Sequence, residues 1–417
     1  MLKIMELFAG VGGFRLGLEQ IKGFEVVWGN QWEPSKKRQD AFDCYAKQFK
    51  DKGIHSNVDI AHVNETQFIN QDINLVVGGF PCQDYSVARS LSGEKGLEGK
   101  KGVLFWEITR LVREIQPKYL LLENVDRLLK SPSKQRGRDF SVMLASLRDL
   151  NYSVEWRVIN AADYGQAQRR RRVFIFAVHN STAYYNGLFK KENDSILHKD
   201  GFFAPVFPIE EMYVDKHPPR EFQLPENLLE VSDEFSQKYL NAGIMKNGAV
   251  YTEEVIPKTE SFTSLGSILQ SNVDESYYLD DAAIEKFRYL KGPKRIERTS
   301  STGHSYYFSE GGMAFPDDVA KPGRTMLTSE GTNNRSTHVV EDPVTKRLRF
   351  LTPVECERLN GFPDNWTDNM TERMRYFCMG NALVVGLIER MAKRIKEIEQ
   401  EEIEQLKIES QQFSLFG

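Results

Sequence analysis

The chain has 417 residues, a formal net charge of −4 and a hydrophobic share of 40%, which is ordinary for a globular protein. This length suits two or three domains, or one large domain with an inserted module. No apolar run approaches the roughly 18 residues needed to span a bilayer. The first residues are too few and too acidic for a signal peptide, so we expect neither membrane attachment nor secretion.

The four cysteines stand at positions 44, 82, 356 and 378, without a CxxC pair and without the spacing of metal ligands. This pattern fits a reducing cytoplasm, predicts no bound metal, and leaves any working cysteine to act as a thiol. The negative total charge argues weakly against nucleic acid, but phosphate responds to local charge. Basic clusters, which are either solvated faces or phosphate contacts, occur at 36–38, 100–101, 134–138, 169–172, 291–298 and 346–349.

Short apolar runs alternate with helical patterns over the first 180 residues. The continuously apolar runs at 119–122 and 173–178 are typical of strands buried on both faces. Strands that alternate with helices predict a doubly wound, mostly parallel α/β sheet. In chain order we predict strands at 4–8, 24–28, 74–77, 119–122 and 173–178, and helices at 14–21, 105–115 and 140–150.

The alternation is lost between about Asn180 and Arg335, where proline, serine, threonine, asparagine and glycine accumulate. We predict a separate module of irregular structure here, with a helical piece at 280–290. A strong helix returns at 384–398, and the charged residues 396–412 predict an exposed helix with a frayed tail.

The first strand leads into a glycine-rich turn, Phe8-Ala9-Gly10-Val11-Gly12-Gly13. Glycines allow close approach of a ligand, and the carboxyl end of a strand is where α/β sheets bind nucleotides. A plain tight turn is the alternative. The turn differs from the GxGxxG of dinucleotide folds, because Arg15 stands where that pattern has its last glycine.

Two further segments offer polar or aromatic groups near this predicted edge. After the second strand, Glu33 could bond ribose hydroxyls and Trp32 could cover an adenine face. Asp59 could accept a hydrogen bond from an adenine amino group. The alternatives are that Trp32 belongs to the core and that Glu33 caps the next helix.

The third strand ends in Gly78-Gly79-Phe80-Pro81-Cys82-Gln83, which places Cys82 on a loop rather than in the core. Glu123 follows the strand at 119–122, where a carboxylate is a good acid–base candidate. The four arginines at 169–172 precede another strand, and their mutual repulsion predicts anionic partners nearby.

Taken in order, these motifs resemble those of the cytosine-5 DNA methyltransferases, chiefly the bacterial enzymes of restriction–modification systems. The resemblance covers about 1–180 and 320–390. It rests on FAGVGG at 8–13, GFPCQ at 79–83, ENV at 123–125, QRRRR at 168–172, RFLTPVECERLNGFP at 349–363 and GNA at 380–382. The segment 180–320 falls where the family has its target-recognition domain.

The resemblance implies methyl transfer from S-adenosylmethionine, which leaves S-adenosylhomocysteine, to a flipped-out cytosine in duplex DNA. Cys82 would be the nucleophile, and Glu123 would hold or protonate ring nitrogen 3. Arg170 and Arg172 would contact the base carbonyl, the phosphate or the catalytic loop. The cofactor site would comprise Phe8, Gly10, Gly12, Gly13, Gln31, Trp32, Glu33, Asp59, Ile60, Pro81, Leu104, Asn381 and Ala382. DNA would be contacted by Gln83, Ser86, Gln168, Arg324, Thr325 and Arg335, and the loop 86–101 would close over it.

The implied domains are a catalytic, cofactor-binding domain at 1–180, a target-recognition domain at 181–370, and a C-terminal segment at 371–417 that returns to the first. Candidate base-reading side chains lie at 324–325 and 333–338, because arginine and asparagine read guanine and adenine edges. A turn-rich surface loop is the alternative. We expect a monomer in the bacterial cytoplasm, with a restriction endonuclease as its genetic partner.

Two positions depart from the family pattern. Gln31 stands where the family has an acid, so the ribose contact is open between Gln31 and Glu33. Ala382 replaces the usual serine of the last motif.

Three other functions compete with this reading. A tRNA methyltransferase of the same chemistry predicts a more compact recognition region. A silent DNA-binding protein gives no reason for an intact Cys82 and Glu123. A nicotinamide-dependent oxidoreductase predicts the GxGxxG turn that is lacking here.

Overall fold

The computed structural model describes residues 1–34, 36–80, 104–211, 217–233, 235–300 and 303–416, the last eight of these by backbone alone. The chain forms two compact units. The first unit comprises Met1–Tyr164, Arg171–Glu260 and Val385–Gly417, and the second comprises Gly165–Arg170 and Ser261–Val384. Residues 181–260, expected to begin the recognition domain, therefore pack with the first unit.

The first unit is built on a ten-stranded mixed sheet with the order β3-β2-β1-β4-β5-β7-β6-β9-β10-β8. Strands β1 to β5 are parallel, whereas β7, β6, β9, β10 and β8 continue the sheet by antiparallel pairing. The strands are β1 Leu2–Leu7, β2 Phe24–Asn30, β3 Ile54–Ser56, β4 Ile73–Gly79, β5 Tyr119–Val125, β6 Tyr152–Asn160, β7 Arg171–His179, β8 Arg220–Gln223, β9 Ala242–Lys246 and β10 Ala249–Glu253.

Consecutive residues of the central strands are fully buried, including Leu75 to Val77 in β4 and Leu120 to Leu122 in β5. Since successive side chains of a strand point to opposite faces, both faces of the sheet must be covered. This confirms the predicted α/β class, although the sheet is mixed and only its first half is parallel.

Helices of the first unit lie between and after these strands, from α1 (Gly13–Glu19) to α11 (Val385–Phe416). The C-terminal helix α11 packs closely on α1, since a Cβ atom on Gly17 would lie 2.7 Å from Ile388 Cβ. The helices are α1 Gly13–Glu19, α2 Asp40–Gln48, α3 Leu104–Ile115, α4 Arg138–Asp149, α5 Ala183–Leu188, α6 Asn193–Ser195, α7 Leu228–Asp233 and α11 Val385–Phe416.

The prediction of irregular structure beyond residue 180 is wrong for residues 220–253. Strands β9 and β10 form a hairpin whose turn residues Asn247 and Gly248 both have positive φ, 49° and 86°. Strand β9 pairs with β6 and so extends the main sheet. The Asn-Gly pair is a recognisable hairpin signal that the irregular texture of the surrounding sequence obscured.

The second unit has two small antiparallel ribbons, β11 Lys294–Thr299 with β12 Ser305–Glu310, and β13 Val339–Glu341 with β14 Leu348–Phe350. Its helices are α8 Asp281–Lys291, α9 Pro353–Leu359 and α10 Glu372–Asn381. A small apolar cluster centres on Leu279, Phe287 and Val339.

A buried ion-pair network also holds the second unit together. Arg349 is fully buried, and its Nε lies 2.8 Å from Asp342 Oδ2 while its Nη2 lies 2.8 Å from Glu355 Oε1. Glu355 also completes a capping box with Thr352 at the start of α9. The motif at 349–363 is therefore a structural anchor of this unit.

Within the described ranges, no helix combines the length and the apolar character that crossing a membrane requires.

Candidate functional site

The loops that follow β1, β2 and β3 are joined by hydrogen bonds at the carboxyl edge of the parallel strands. Gly10 N donates to Gln31 Oε1 at 2.8 Å, and Asn57 Nδ2 donates to the Gln31 carbonyl oxygen at 2.8 Å. The buried Asn30 reaches the carbonyl oxygen of Val58 at 2.9 Å. Three of the predicted cofactor segments are thus brought together, as nucleotide sites of α/β sheets require.

The glycine-rich turn is shaped by its backbone and by Arg15. Gly12 has φ +89°, and a Cβ atom there would lie 2.4 Å from Phe49 Cε2, so this position requires glycine. Arg15 is 1% exposed and bonds to Glu19, Tyr45 and the Lys52 carbonyl oxygen. The residue that breaks the dinucleotide pattern is therefore a buried support of the turn, a role that the sequence analysis missed.

Glu6 of β1 lies beneath this turn and is fully buried. Its Oε2 accepts a hydrogen bond from the Tyr45 hydroxyl at 2.9 Å, and its Oε1 accepts from Arg15 N at 3.3 Å. Burial raises the pKa of the Glu6 carboxyl to about 7, and the bond from Tyr45 and the charge of Arg15 only partly oppose that rise.

We expect Glu6 to make stability fall as pH rises from about 4.5 to about 7. Because the pKa of Glu6 is higher in the folded protein than in the unfolded chain, protonated Glu6 stabilises the fold below pH 4.5. This stabilisation, at most about 3 kcal/mol, is lost as the pH rises through the folded-state pKa. Urea unfolding at several pH values should show that E6Q flattens this decline, whereas E25Q, at an exposed site in β2, should not. Equal pH dependence of E6Q and the wild type would contradict the assignment.

The environment of Glu33 and Trp32 fits an adenosine-type ligand. Glu33 Oε1 lies 2.7 Å from Lys36 Nζ, whereas its buried Oε2 accepts no hydrogen bond among the described residues. An unsatisfied buried acceptor calls for a donor such as a hydroxyl group. Trp32 is 37% exposed, so its ring is available for stacking and is not part of the core. Gln31, by contrast, already uses its Oε1 to hold Gly10.

The remaining cofactor candidates of the first unit take structural positions around these loops. Phe8 has φ +55° at the end of β1, and Gly13 begins α1. Asp59 caps a short turn by accepting from Ala61 N at 3.1 Å, and the next residue, Ile60, is buried. Leu104 is the first residue of α3 and packs against the main core.

Glu123 and Arg172 form an ion pair at the ends of β5 and β7. Arg172 Nε lies 2.8 Å from Glu123 Oε1, and the two side chains are 16% and 14% exposed. Glu123 is paired in register with Gly79, where a Cβ atom would lie 3.1 Å from Glu123 Oε2. A nearly buried carboxylate thus stands beside the strand end that leads to Cys82.

Asn124 fixes the chain that enters the cysteine loop. It is 2% exposed, and its Nδ2 donates to the Phe80 carbonyl oxygen at 2.8 Å while its Oδ1 accepts from Val125 N. Asn124 was not among the predicted site residues. Glu123 and Asn124 therefore have different roles, because Glu123 presents a carboxylate and Asn124 positions the neighbouring strand end.

Several candidates lie outside the described residues: Pro81, Cys82, Gln83, Ser86 and the predicted closing loop 86–101.

Gln168 and Arg170, predicted to contact DNA and the reaction centre, are buried within the second unit. Gln168 is 0% exposed and bonds to Asn360 Oδ1 and Met326 N. Arg170 is 2% exposed and donates to the carbonyl oxygens of Met326 and Gly380 at 3.1 and 3.0 Å. Both side chains order their surroundings, and burial removes Gln168 from direct contact with DNA in this conformation.

Arg324 and Arg335, also predicted to contact DNA, make ion pairs within the second unit. Arg324 Nε lies 2.6 Å from Asp317 Oδ1, and Arg335 Nη1 lies 3.1 Å from Glu310 Oε1. Although burial raises the pKa of Asp317, the hydrogen bond from Arg324 and the surrounding positive charges lower it to about 2. Thr325 donates to the Arg169 carbonyl oxygen at 2.5 Å.

The last motif lies at the end of α10 in the second unit, where Asn381 is exposed and Ala382 follows as the capping residue.

The predicted anionic partners of the arginine cluster include two carboxylates. Besides the Arg172–Glu123 pair, Arg171 Nε lies 3.2 Å from Asp126 Oδ2. Arg170 donates to two backbone carbonyl oxygens.

One group of metal-type ligands occurs in the described part of the chain, formed by Asp194, His198 and Glu253, whose ligand atoms lie within 4.8 Å of one another. His198 Nε2 lies 2.8 Å from Glu253 Oε1, and the Tyr251 hydroxyl donates to Glu253 Oε2 at 2.9 Å. These bonds satisfy the Glu253 carboxylate.

Comparison with known proteins places this geometry in context. The sequence model described as C-5 cytosine-specific DNA methylase matches residues 2–397. The chain is 57% identical over 400 residues to Type II methyltransferase M.Sau3AI of Staphylococcus aureus, which covers 95% of this chain and 96% of that protein. It is 27% identical over 395 residues to Type II methyltransferase M.HhaI of Haemophilus parahaemolyticus, covering 94% of each.

Solved structures support the fold alone. The S. pombe Dnmt2 methyltransferase superposes with a TM-score of 0.58 at 15% identity, covering 96% of this chain and 99% of that chain. A methyltransferase of Entamoeba histolytica gives a TM-score of 0.55 at 16% identity.

Proposed function

The chain belongs to the family of C-5 cytosine-specific DNA methylases, and we propose that it carries out this methylation through Cys82 and Glu123. It is a DNA cytosine-5 methyltransferase of the Type II restriction–modification kind. One observation supports the residue assignment most strongly: the Glu123 carboxylate lies beside Gly79, three residues before Cys82, and Arg172 holds it there.

The chemistry required of these two residues follows from the weak nucleophilicity of cytosine carbon 5. The Cys82 thiolate adds to carbon 6, and Glu123 gives a proton to ring nitrogen 3, which relieves the charge that the addition creates. The resulting enamine makes carbon 5 nucleophilic. After methylation, a base takes the carbon-5 proton and the double bond re-forms as the carbon–sulfur bond breaks and releases the Cys82 thiolate. The proton on ring nitrogen 3 returns to the Glu123 carboxylate, which closes the cycle.

The implied cofactor is S-adenosylmethionine, which supplies a methyl group already activated on a sulfonium sulfur. The joined loops after β1, β2 and β3 would hold it. Glu33 is the better candidate for the ribose hydroxyls, because its Oε2 is unsatisfied whereas Gln31 is engaged with Gly10. Trp32 would cover the adenine.

The arginines act as positioning residues in this scheme. Arg172 fixes the carboxylate of Glu123 through the 2.8 Å ion pair. Arg170 fixes the segment before β7 to Met326 and Gly380. Neither role requires direct contact with the base.

Target recognition is assigned to residues 181–370, within which the second unit supplies Ser261 onward. The S. aureus relative is 57% identical over 95% of this chain, a span that includes this region. We therefore expect the same target sequence, and a cognate endonuclease as genetic partner.

The test is methyl transfer from labelled S-adenosylmethionine into unmethylated plasmid DNA, followed by base-resolution mapping of the product. We expect label on carbon 5 of one cytosine in one recurrent short sequence, the same sequence that the S. aureus relative modifies. Transfer to tRNA in place of DNA would show that the protein is a tRNA methyltransferase of the same chemistry. Cofactor binding without transfer to any nucleic acid would contradict the proposal.

A further inference from the structure

The β11–β12 ribbon, formed by Lys294–Thr299 and Ser305–Glu310, is exposed on both faces. Tyr307 is 56% exposed on one face, and Tyr306 and Ile296 are 44% and 38% exposed on the other. An isolated two-stranded ribbon is marginally stable in water, and large apolar side chains on both of its faces indicate a surface that a partner covers.

Two arginines of this ribbon lie over aromatic rings. The guanidinium of Arg295 lies 4.5 Å from the ring centre of Tyr307, and that of Arg298 lies 4.0 Å from the ring centre of Phe308. Each pair is diagonal across the strands, and the two pairs lie on opposite faces. Stacking orders a guanidinium while leaving its N–H groups able to donate in the plane.

These arginines differ from the other arginines considered for DNA contact. Arg324 is bound to Asp317 and Arg335 to Glu310. Among the described residues, no carboxylate lies within ion-pair distance of Arg295 or Arg298. The ribbon therefore presents two ordered guanidinium groups whose N–H donors remain available to a ligand.

The base of the ribbon is anchored to the second unit. Lys291, just before β11, is buried with its Nζ 3.1 Å from Asp317 Oδ2 and 2.7 Å from the Thr337 carbonyl oxygen. Met313 N, just after β12, donates to the Lys291 carbonyl oxygen at 2.8 Å. A fixed base and an exposed far end suit an element that enters a groove.

We propose that the β11–β12 ribbon enters the major groove of the target DNA, where Arg295 and Arg298 read base edges. The major groove admits a two-stranded ribbon, and arginine contacts guanine bidentately through O6 and N7. Glu310, one of the two acids of the ribbon, is neutralised by Lys294 and Arg335, which leaves a cationic surface for DNA. This inference rests on the DNA methyltransferase activity and adds the residues that select the sequence.

The sequence carries a signal for part of this element. The aromatic run Tyr306 to Phe308 follows a Ser- and Gly-containing segment at 300–304, which is typical of a strand after a turn. The cluster at 291–298 was noted only for its charge.

The test compares full-length R295K and R298K with the wild type. Lysine keeps the charge but loses the planar fork. We expect discrimination between the target and its single-base variants, in both DNA affinity and kcat/KM, to fall about 5- to 150-fold at one position for each variant. R288K serves as the matched control, because Arg288 of α8 is exposed and paired with Glu285; it should leave discrimination unchanged.

Three outcomes would overturn the proposal. Unchanged discrimination between the target and its single-base variants in both R295K and R298K would show that the ribbon does not read bases. An equal loss of affinity for all DNA sequences would indicate phosphate contact only. A change of sedimentation mass without a change in DNA affinity would identify a second copy of the chain as the partner. DNA affinity is measured without cofactor, so failure of the ribbon is distinguishable from failure of methyl transfer, and thermal unfolding identifies a variant that has lost its fold.

Discussion

Replacing Cys82 by serine is expected to lower methyl transfer by at least about 10³-fold while cofactor binding persists. A serine hydroxyl is far less acidic than a thiol and cannot supply an anionic nucleophile near neutral pH. Loss of a nucleophile is among the largest single-residue effects known in enzymes. Labelled methyl transfer measures the rate, and titration calorimetry measures cofactor binding.

The other cysteines cannot replace Cys82. Cys44, Cys356 and Cys378 are buried, and burial raises the pKa of Cys356 well above its usual value. C378A is therefore the matched control and should retain activity.

A covalent trap separates nucleophilic attack from a structural role of Cys82. When S-adenosylmethionine is present and the target base is 5-fluorocytosine, the adduct that has received the methyl group has no carbon-5 proton to lose, so its carbon–sulfur bond cannot break by elimination. The wild type should form a denaturant-resistant complex and C82S should not. A trapped complex in C82S would show that another residue attacks carbon 6.

The sequence predicted four of the five parallel strands, all but β3, and the position of Glu123, because these depend on local pattern. A strand buried on both faces is a continuous apolar run, as in 119–122, and its end places the next residue at the edge of the sheet. The joining of the loops by Gln31, Asn30 and Asn57 was not predictable in this way, because those hydrogen bonds link residues distant in the chain.

Strand β6 was not predicted because its buried polar residues interrupt the apolar pattern that is typical of a buried strand. Glu155 and Arg157 are only 2% and 1% exposed, whereas a sequence pattern places charged residues in solvent. The structure satisfies both, since Glu155 accepts from the backbone of Phe202 and Phe203, and Arg157 donates to the Leu197 carbonyl oxygen. Such compensation depends on tertiary contacts and cannot be inferred from periodicity.

The arginine cluster at 169–172 illustrates the same limit. Repulsion among like charges correctly predicted anionic partners, but it could not predict which arginine pairs with which partner. Arg172 pairs with Glu123, Arg171 pairs with Asp126, and Arg170 is buried against carbonyl oxygens. Three adjacent residues of one type therefore occupy different environments, and only the strand register determines which arginine serves the site.

Replacing Glu123 by glutamine is expected to lower kcat by about 10²- to 10⁴-fold, the usual contribution of a general acid or base. Glutamine keeps the size of the side chain and can still hydrogen-bond, but it cannot give a proton to ring nitrogen 3. D126N is the matched control, because Asp126 pairs with the neighbouring Arg171 at 3.2 Å and both side chains are exposed, at 40% and 61%. It should remain within about twofold of the wild type, as expected for an exposed ion pair.

The double variant E123Q/R172M tests whether Arg172 acts through Glu123. If the 2.8 Å ion pair is the whole contribution of Arg172, then R172M lowers kcat strongly in the wild type and little in E123Q. The pH profile gives an independent readout, because Glu123 must be protonated to act and activity should fall as pH rises through its pKa; loss of the guanidinium should move this alkaline limb to higher pH. Additive losses of kcat with an unmoved alkaline limb would mean that Arg172 contacts the DNA or the cysteine loop directly, and that the two side chains, although paired, act separately.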